Sequence, residues 1–499
     1  MSFLHRLGVK KGTKVAILGE NVPNWGIAYL AVTGMGAVAV PILPGFSAVE
    51  TGNVIQHSEA RCIFVSEKQV SKMQALSLPV LQHTITLEDF EVIHGDRSVY
   101  YRYGDYDNNA YKVFEDDLAA LIYTSGTTGK SKGVMLTHMN ICSNVRSAGI
   151  LQPIRNTDRF LSLLPLSHTY ENTLGLLLPL FNGAAVYYVR QAIAPSVMLK
   201  ALAEVRPTMM LTVPMIIEKI YKNRIAPVFK KKGIVSKLYR NKHFRKLLHR
   251  LAGRKLLKTF GGELRFFGVG GAKLDPVVEQ FLLDAKFPLA IGYGLTETAP
   301  LLAGTSPKTA RWQSTGPAID GVELKIHNAD SETGIGEIWA RGNNVMAGYY
   351  KEPEATAEVI TPDGWFRTGD LGCLSTDGFL SIKGRNKNMI LGSGGENIFP
   401  EDIESLINNF DHVLESLVIE ENGGLVALVH FNVQEIEQKY QDVYEKFTDY
   451  SDRKIEDLKF ELQEYVNKQV SKFARLQRIV HQPTPFEKTA TQKIKRYLY

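Results

Sequence analysis

Cysteine is scarce in this sequence. Three occur in 499 residues, Cys62, Cys142 and Cys373, widely spaced and with no Cys-x-x-Cys. An odd, dispersed set excludes a disulfide scaffold and a cysteine zinc knuckle and favours a reducing compartment, so the expected location is the cytoplasm. Neither His-Glu-x-x-His nor Gly-x-Ser-x-Gly occurs, which leaves zincin and α/β-hydrolase readings without their signatures. Charge of one sign is barely in excess. The 58 Lys and Arg against 52 Asp and Glu leave +6, too little to announce a nucleic-acid binder. The opening Met-Ser-Phe-Leu-His-Arg lacks the apolar core of a secretory signal. One stretch, 21–49, carries no charge and is long enough to span a bilayer. Pro41 and Pro44 would break a spanning helix there, so a buried helix followed by a buried strand is expected.

What is present is an α/β texture. Apolar residues are 44% and charged residues 22%, the balance of a globular chain rather than a disordered or collagenous one. Apolar runs at 14–18, 37–43, 61–65, 119–123, 185–189, 209–213 and 264–269 suit strands buried on both faces. Segments of helical spacing separate them, which gives an α/β class. Residues 323–326 and 337–340 read as strands of a local β-rich part. Near residue 384 the texture changes. A glycine loop at 392–395 and a helix at 401–408 behind Pro400 open a small α+β unit. Residues 433–470 read as a charged amphipathic surface helix.

The sharpest local signal is Tyr123-Thr-Ser-Gly-Thr-Thr-Gly-Lys-Ser-Lys-Gly-Val134, which follows a strand and is expected to lead into a helix. Hydroxyls, glycines and lysines together make a loop of many donors and close backbone approach, which is what a phosphate needs. It is no Walker P-loop, because the first glycine of that motif would fall on Thr124. Gly268-Val-Gly-Gly-Ala272 misses a dinucleotide fingerprint, since its third glycine would fall on Lys273.

The loop resembles the phosphate-binding signature of the adenylate-forming superfamily, and further signatures follow in that family's order. They are Leu164-Pro-Leu-Ser-His168, Gly270-Gly-Ala272, Tyr293-Gly-Leu-Thr-Glu-Thr298, Gly336-Glu-Ile-Trp-Ala-Arg341, Trp365-Phe-Arg-Thr-Gly-Asp370, Gly384-Arg-Asn-Lys387 and Pro485-Phe-Glu-Lys-Thr-Ala-Thr-Gln-Lys-Ile-Lys-Arg496. The resemblance covers essentially the whole chain. It is strongest to the long-chain fatty-acyl-CoA synthetase branch, through Glu171, Ser393-Gly-Gly-Glu-Asn-Ile-Phe-Pro400 and the closing Phe-Glu-Lys-Thr-Ala-Thr-Gln-Lys.

That resemblance implies a two-step ligase using ATP, magnesium and coenzyme A. A fatty-acid carboxylate attacks the α-phosphate of ATP, releasing pyrophosphate, and CoA thiolate then displaces AMP. It implies that Thr124, Ser125, Gly126, Thr127, Thr128, Gly129 and Lys130 cradle phosphates. Glu297 would hold the metal, with a hydroxyl from Thr124. Tyr293 and Gly294 with the Gly270, Gly271, Ala272 turn would hold adenine, and Thr296 would meet the α-phosphate. Asp370 would accept both ribose hydroxyls and Arg385 would contact ribose or phosphate. Lys493 would be the catalytic cation, while His168 stands near the acyl carboxylate or the CoA path. The implied organisation is a large domain of layered sheets and helices over 1–384, a hinge at 385–387 centred on Lys387, and a mobile lid domain over 388–499. Family members begin further upstream of Gly8, so the opening of the large domain is expected to be absent.

All the excess basicity sits in residues 222–258, with 14 Lys and Arg and no Asp or Glu. Phe244, Leu247, Leu248 and Leu251 recur there at helical spacing. Such a segment suits the anionic inner face of a membrane, the phosphates of CoA, or a solvated face docked on the core. Two other functions remain open in the residues: adenylation with delivery to a carrier protein, and a truncated nucleotide-binding protein without catalysis. No nucleic-acid partner is expected, and oligomeric state is not written in any local pattern.

Overall fold

The computed structural model describes all residues except 103–110, 125–130, 190–193, 232, 393–395, 440–449 and 490–492. The chain divides into two compact units. One comprises Met1–Lys325, Trp339–Thr368 and Leu374–Ser381; the other comprises Ile326–Ile338, Gly369–Cys373 and Ile382–Tyr499.

The first unit holds two large sheets. One has eight strands in the order Gly348–Tyr349, Lys132–Thr137, Leu118–Thr124, Val38–Ile42, Lys14–Leu18, Cys62–Val65, His83–Thr86, Val92–His94. Its centre is parallel and its flanks antiparallel. The other runs Leu301–Gly304, Leu289–Gly294, Phe266–Val269, Met209–Thr212, Arg159–Ser162, Ala185–Tyr188, parallel except for its first strand. The uncharged stretch is the helix Pro23–Gly34, buried through Trp25, Ala28, Tyr29 and Val32, and the fully buried strand Val38–Ile42. Pro23 sits in the helix's first turn, where a missing N–H costs nothing. Among the described residues no helix is long and apolar enough to cross a membrane.

Two sequence expectations for this unit need correction. The run at 185–189 forms the strand Ala185–Tyr188, but it lies at a sheet edge and alternates exposed with half-buried residues. Apolar composition alone does not distinguish an edge from a centre. The phosphate-type loop does not lead directly into a helix. Strand Leu118–Thr124 is paired antiparallel with Lys132–Thr137, and the helix His138–Leu151 starts only after it. Thr137 and Asn140 form a capping box at that junction, so strand passes to helix without a linker.

A four-stranded sheet runs Val322–His327, Gly336–Gly342, Phe366–Leu374, Leu380–Arg385. The second unit adds the sheet Val413–Glu421, Gly424–Phe431, Leu476–His481, with the helix Pro400–Asn408. The charged stretch at 433–470 contains the helices Val433–Lys439 and Tyr450–Asn467. The second is more than a surface helix. Ile455, Leu458, Leu462 and Val466 lie in this unit's core.

At the N-terminal edge of the six-stranded sheet a buried charge ties three strand starts together. Asp158, 2% exposed, precedes Arg159–Ser162. It accepts from Thr208 Oγ1 at 2.8 Å, from Arg265 Nε at 2.8 Å and from the Arg155 amide at 2.6 Å. Thr208 and Arg265 stand just before the two neighbouring strands, and Thr208 Oγ1 also accepts from the Arg159 amide at 3.0 Å. Burial pushes the Asp158 carboxyl up, but Arg265, the Arg155 amide and Thr208 outweigh it and hold it below its ordinary value. Removing Arg265 strands this charge. Arg265→Ala is expected to cost about 3 kcal/mol, the low end for a broken buried pair because the guanidinium is partly exposed. Denaturant midpoints at neutral pH measure this. The difference should shrink as the pH falls below the ordinary aspartate range, because a lowered folded-state pKa gives stability that acid removes.

Candidate active site

Two neighbouring parallel strands of the six-stranded sheet, Phe266–Val269 and Leu289–Gly294, end side by side and deliver the expected nucleotide motifs. Open parallel sheets bind ligands at these carboxyl ends. After Phe266–Val269 comes the turn Gly270, Gly271, Ala272, with Gly271 at φ +84°. A Cβ on Gly270 would lie 3.2 Å from the Tyr170 ring, so the ring and the turn are in close contact. Strand Leu289–Gly294 carries Tyr293, 8% exposed, and ends on Gly294. A Cβ on Gly294 would fall 1.7 Å from the Pro300 carbonyl oxygen, which leaves glycine as the one residue that fits.

One short turn, Thr296–Thr298, then carries Thr296 and Glu297. Thr298 Oγ1 donates to the Pro300 carbonyl at 2.6 Å. The Glu297 carbonyl accepts from the Met346 amide at 2.9 Å, and Glu297 Oε1 accepts from the Tyr349 hydroxyl at 2.9 Å. Two buried asparagines close the clamp. Nδ2 of Asn144 and of Asn344 each donates to the carbonyls of Thr298 and Leu301, at 2.8–3.2 Å. Sequence reasoning missed Asn144, Asn344 and Tyr349. The faint signal was Asn144 inside a helix, where asparagine is disfavoured unless its side chain has other work.

Tyr349 links this turn to the expected phosphate loop. Its strand pairs with Lys132–Thr137, and Lys132 Nζ lies 4.8 Å from its ring centroid. Lys132 in turn pairs with Thr124, the last residue of Leu118–Thr124. Ser125, Gly126, Thr127, Thr128, Gly129 and Lys130 lie outside the described residues. Among the described residues no three His, Cys, Asp or Glu side chains converge as a metal cage. A single carboxylate near a hydroxyl-bearing strand end instead suits magnesium, which keeps waters and binds chiefly through substrate phosphates.

His168 follows a segment pinned by Asn21. Asn21 Oδ1 accepts from the Leu166 amide at 2.9 Å, and Nδ2 donates to the Leu164 carbonyl at 2.6 Å. The Tyr170 amide donates to His168 Nδ1 at 3.3 Å.

The remaining expected residues belong to the second unit. Asp370, 5% exposed on strand Phe366–Leu374, pairs with Arg385 Nε at 3.0 Å. Lys387 sits in the turn Asn386–Asn388. Lys493 is bonded to Thr489: its carbonyl accepts from the Thr489 amide at 2.8 Å and its amide donates to Thr489 Oγ1 at 3.2 Å. The neighbouring cations have carboxylate partners. Lys488 pairs with Glu415, Lys495 with Glu487 at 3.8 Å, and Arg496 with Glu404. Burial pushes the Glu404 carboxyl up to about 6 despite Arg496.

The family model for AMP-binding enzymes matches residues 2–350. A long-chain-fatty-acid–CoA ligase, FadD15, of Mycobacterium bovis is 31% identical over 443 residues, covering 83% of this chain and 72% of that protein. Long chain acyl-CoA synthetase 6, peroxisomal, of Arabidopsis thaliana is 31% identical over 459 residues, 85% of this chain and 65% of its own. The chain therefore spans just under two thirds of that plant relative. ATP-bound MatB from Rhodopseudomonas palustris has a similar fold, with TM-score 0.75 and 24% identity over 100% of this chain and 90% of that one. The o-succinylbenzoate CoA synthetase (MenE) of Bacillus subtilis, in complex with ATP and magnesium ion, gives 0.76 and 23% over 99% and 90%. These two likenesses carry the fold alone; membership rests on the family match and the identity to the mycobacterial ligase. On that ground the chain belongs to the AMP-binding enzyme family.

Proposed function

We propose that this chain is an ATP-dependent fatty-acid–CoA ligase of the cytoplasm. The observation that carries this reading is the shared activity in the names of its 31%-identical relatives, both of them ligases of long-chain acids to CoA. A carboxylate oxygen attacks the α-phosphorus of ATP, the bond to pyrophosphate breaks, and acyl-AMP forms. The CoA thiolate then attacks the acyl carbon, the bond to AMP breaks, and the thioester leaves. Delivery to a carrier protein has no observation in its favour.

In this reading Tyr293 stacks on adenine beside Gly270, Gly271 and Ala272, with Gly294 at the strand end. Thr296 meets the α-phosphate. Asp370 accepts the ribose hydroxyls, since a carboxylate paired with Arg385 keeps acceptor capacity. Thr124 and residues 125–130 receive the β and γ phosphates. Glu297 and Thr124 would hold magnesium, which neutralises phosphate charge when bound. Tyr349 orients Glu297 for that task. His168 stands at the acyl end. Lys493 stabilises the charge that develops between carboxylate and phosphate. Residues 385–387 form the hinge between a domain over 1–384 and a lid over 388–499.

Residues 222–258 form the surface by which the protein meets an anionic membrane, where lipophilic acids partition. Helix Lys242–Thr259 docks through His249, Gly253 and Leu256 and leaves Phe244, Leu247 and Leu251 exposed among its Lys and Arg. Leu248, from the same stripe, packs on the core instead. Ile234, on helix Ile234–Tyr239, is 77% exposed.

Fatty-acid-dependent exchange of labelled pyrophosphate into ATP, with acids of graded length, tests the activity; CoA added afterwards should yield AMP and acyl-CoA. No exchange with any acid, in folded protein, would reject the ligase. Lys493→Ala should lower acyl-AMP formation by about 10²–10³-fold, roughly 2.7–4 kcal/mol, and spare thioesterification of supplied acyl-AMP. Equal loss of both half-reactions would remove Lys493 from the assigned role. For the membrane surface, cosedimentation with anionic vesicles should succeed at low salt, weaken at high salt, and drop in the double variant Leu247→Ser, Leu251→Ser. Absence of binding to anionic vesicles at low salt would sink the idea.

A further inference from the structure

The turn behind His168 concentrates polar atoms where solvent does not reach. Ser167, Thr169, Glu171 and Asn172 are each 3% exposed or less. Ser167 Oγ, Thr169 Oγ1, Glu171 Oε2 and Asn172 Nδ2 have no hydrogen-bond partner among the described residues. Buried polar groups are costly unless satisfied, and internal water is the usual remedy when several lie together. Ser167 and Thr169 precede, and Glu171 and Asn172 lie within, Tyr170–Leu177, a π-helix, whose wide turn is uncommon and recurs at functional sites.

The carboxyl of Glu171 is built into this helix. A Cβ on Gly175 would lie 2.6 Å from the Glu171 carboxyl carbon, so only glycine leaves room for it. Burial pushes this carboxyl up to about 8, and the Ser162 hydroxyl, donating to it, offsets part of that rise. Ser162 Oγ accepts from Asn21 Nδ2 at 2.9 Å, and the same Asn21 grips Leu164 and Leu166 just before His168. Tyr170, the residue before Glu171, rests on Gly270 of the nucleotide turn. Glu171 thus stands at a junction between the His168 segment and the strand-end turns.

The titratable groups that face it are phenols. They are Tyr170 on its own helix and Tyr188 from strand Ala185–Tyr188, both raised by burial, Tyr188 to about 12. The strands Arg159–Ser162 and Met209–Thr212, packed on this helix, bring it the Ser162 hydroxyl and apolar side chains. The adjacent helix His138–Leu151 carries His138, Cys142 and Arg146.

We propose that Glu171 is a positioning residue for the reaction assigned above: as a neutral acid it gathers internal water with Ser167, Thr169 and Asn172, and so holds His168 and Tyr170 in register with the nucleotide turn. Ionised, it would need a cation, which the described residues facing it do not supply, and the turn would shift. The inference rests on the ligase reading for its kinetic test and on the fold alone for its second test.

Glu171→Gln keeps the shape and the hydrogen bonds of the neutral acid but cannot ionise. The wild-type rate of pyrophosphate exchange should fall above about pH 8, approaching tenfold per pH unit. Glu171→Gln should match the wild type near neutrality and lose this alkaline limb. Glu171→Ala should be slower at every pH, by about 10²-fold if the turn shifts by an ångström. The same limb in Glu171→Gln, no limb in the wild type, or a Glu171→Gln as slow near neutrality as Glu171→Ala would each overturn the proposal. Thermal midpoints need no activity. A raised folded-state carboxyl gives stability at low pH that is lost as the pH climbs from the ordinary glutamate range to about 8. The wild-type midpoint should therefore fall relative to Glu171→Gln across that window. Parallel curves would overturn the proposal even if no acid were ever found to react, whereas a failed exchange assay alone would count only against the ligase.

Discussion

Four hydrogen bonds from two amide side chains hold the turn on which the rest of the site depends. Asn144 comes from the helix His138–Leu151 and Asn344 from the loop after Gly336–Gly342, yet both grip the carbonyls of Thr298 and Leu301. Each bond is modest alone, but an orphaned buried carbonyl costs more than the bond gains. The same turn comes so close to the preceding strand that the Pro300 carbonyl occupies the space of a Gly294 Cβ. Glu297 is therefore held by backbone as well as by the Tyr349 hydroxyl. Such rigidity is what a site needs if its charges are to be in place before charge develops on a substrate.

Much of the fold was legible because apolar runs of strand length mark buried sheet. The stretches at 14–18, 61–65 and 209–213 became strands within a residue or so of their expected ends. Composition failed where position in the sheet matters, as at Ala185–Tyr188, and where β-propensity inside a glycine-rich motif was overlooked, as at Lys132–Thr137. The site was legible wherever chemistry is packed into contiguous residues. Thr296, Glu297 and Thr298 are neighbours in sequence, and so are Gly270, Gly271 and Ala272. Asn144, Asn344 and Tyr349 carry no local signature. They meet Glu297 or its turn only through the register of strands and the rotation of a helix, which no short window of sequence contains.

Electrostatics follows the same division. Near the C-terminus four cations crowd into nine residues, and sequence alone cannot separate a catalytic lysine from a basic tail. The fold gives Lys488, Lys495 and Arg496 carboxylates of their own. Glu404, nearly buried, needs the Arg496 guanidinium to offset its own desolvation. The basic helix Lys242–Thr259 shows the converse. Its charges were conspicuous in the sequence, but its docking face is set by Gly253, where a Cβ would lie 2.6 Å from that of Ala285. A missing side chain, rather than a present one, decides which of its apolar residues stay outside.

The buried Asp158 at the start of the six-stranded sheet has a consequence for how the protein can change over time. Strand starts are tied by charge and hydroxyl, while strand ends are shaped by glycines and carbonyls. Substitutions at the first edge disturb a lock that any well-packed apolar set could replace, so that edge is open to gradual divergence. Substitutions at the second edge meet backbone atoms that cannot be exchanged. Lineages descending from such a chain can rewrite the foundation of the sheet while its opposite rim stays fixed in form, free to take new acids only through residues that do not touch it.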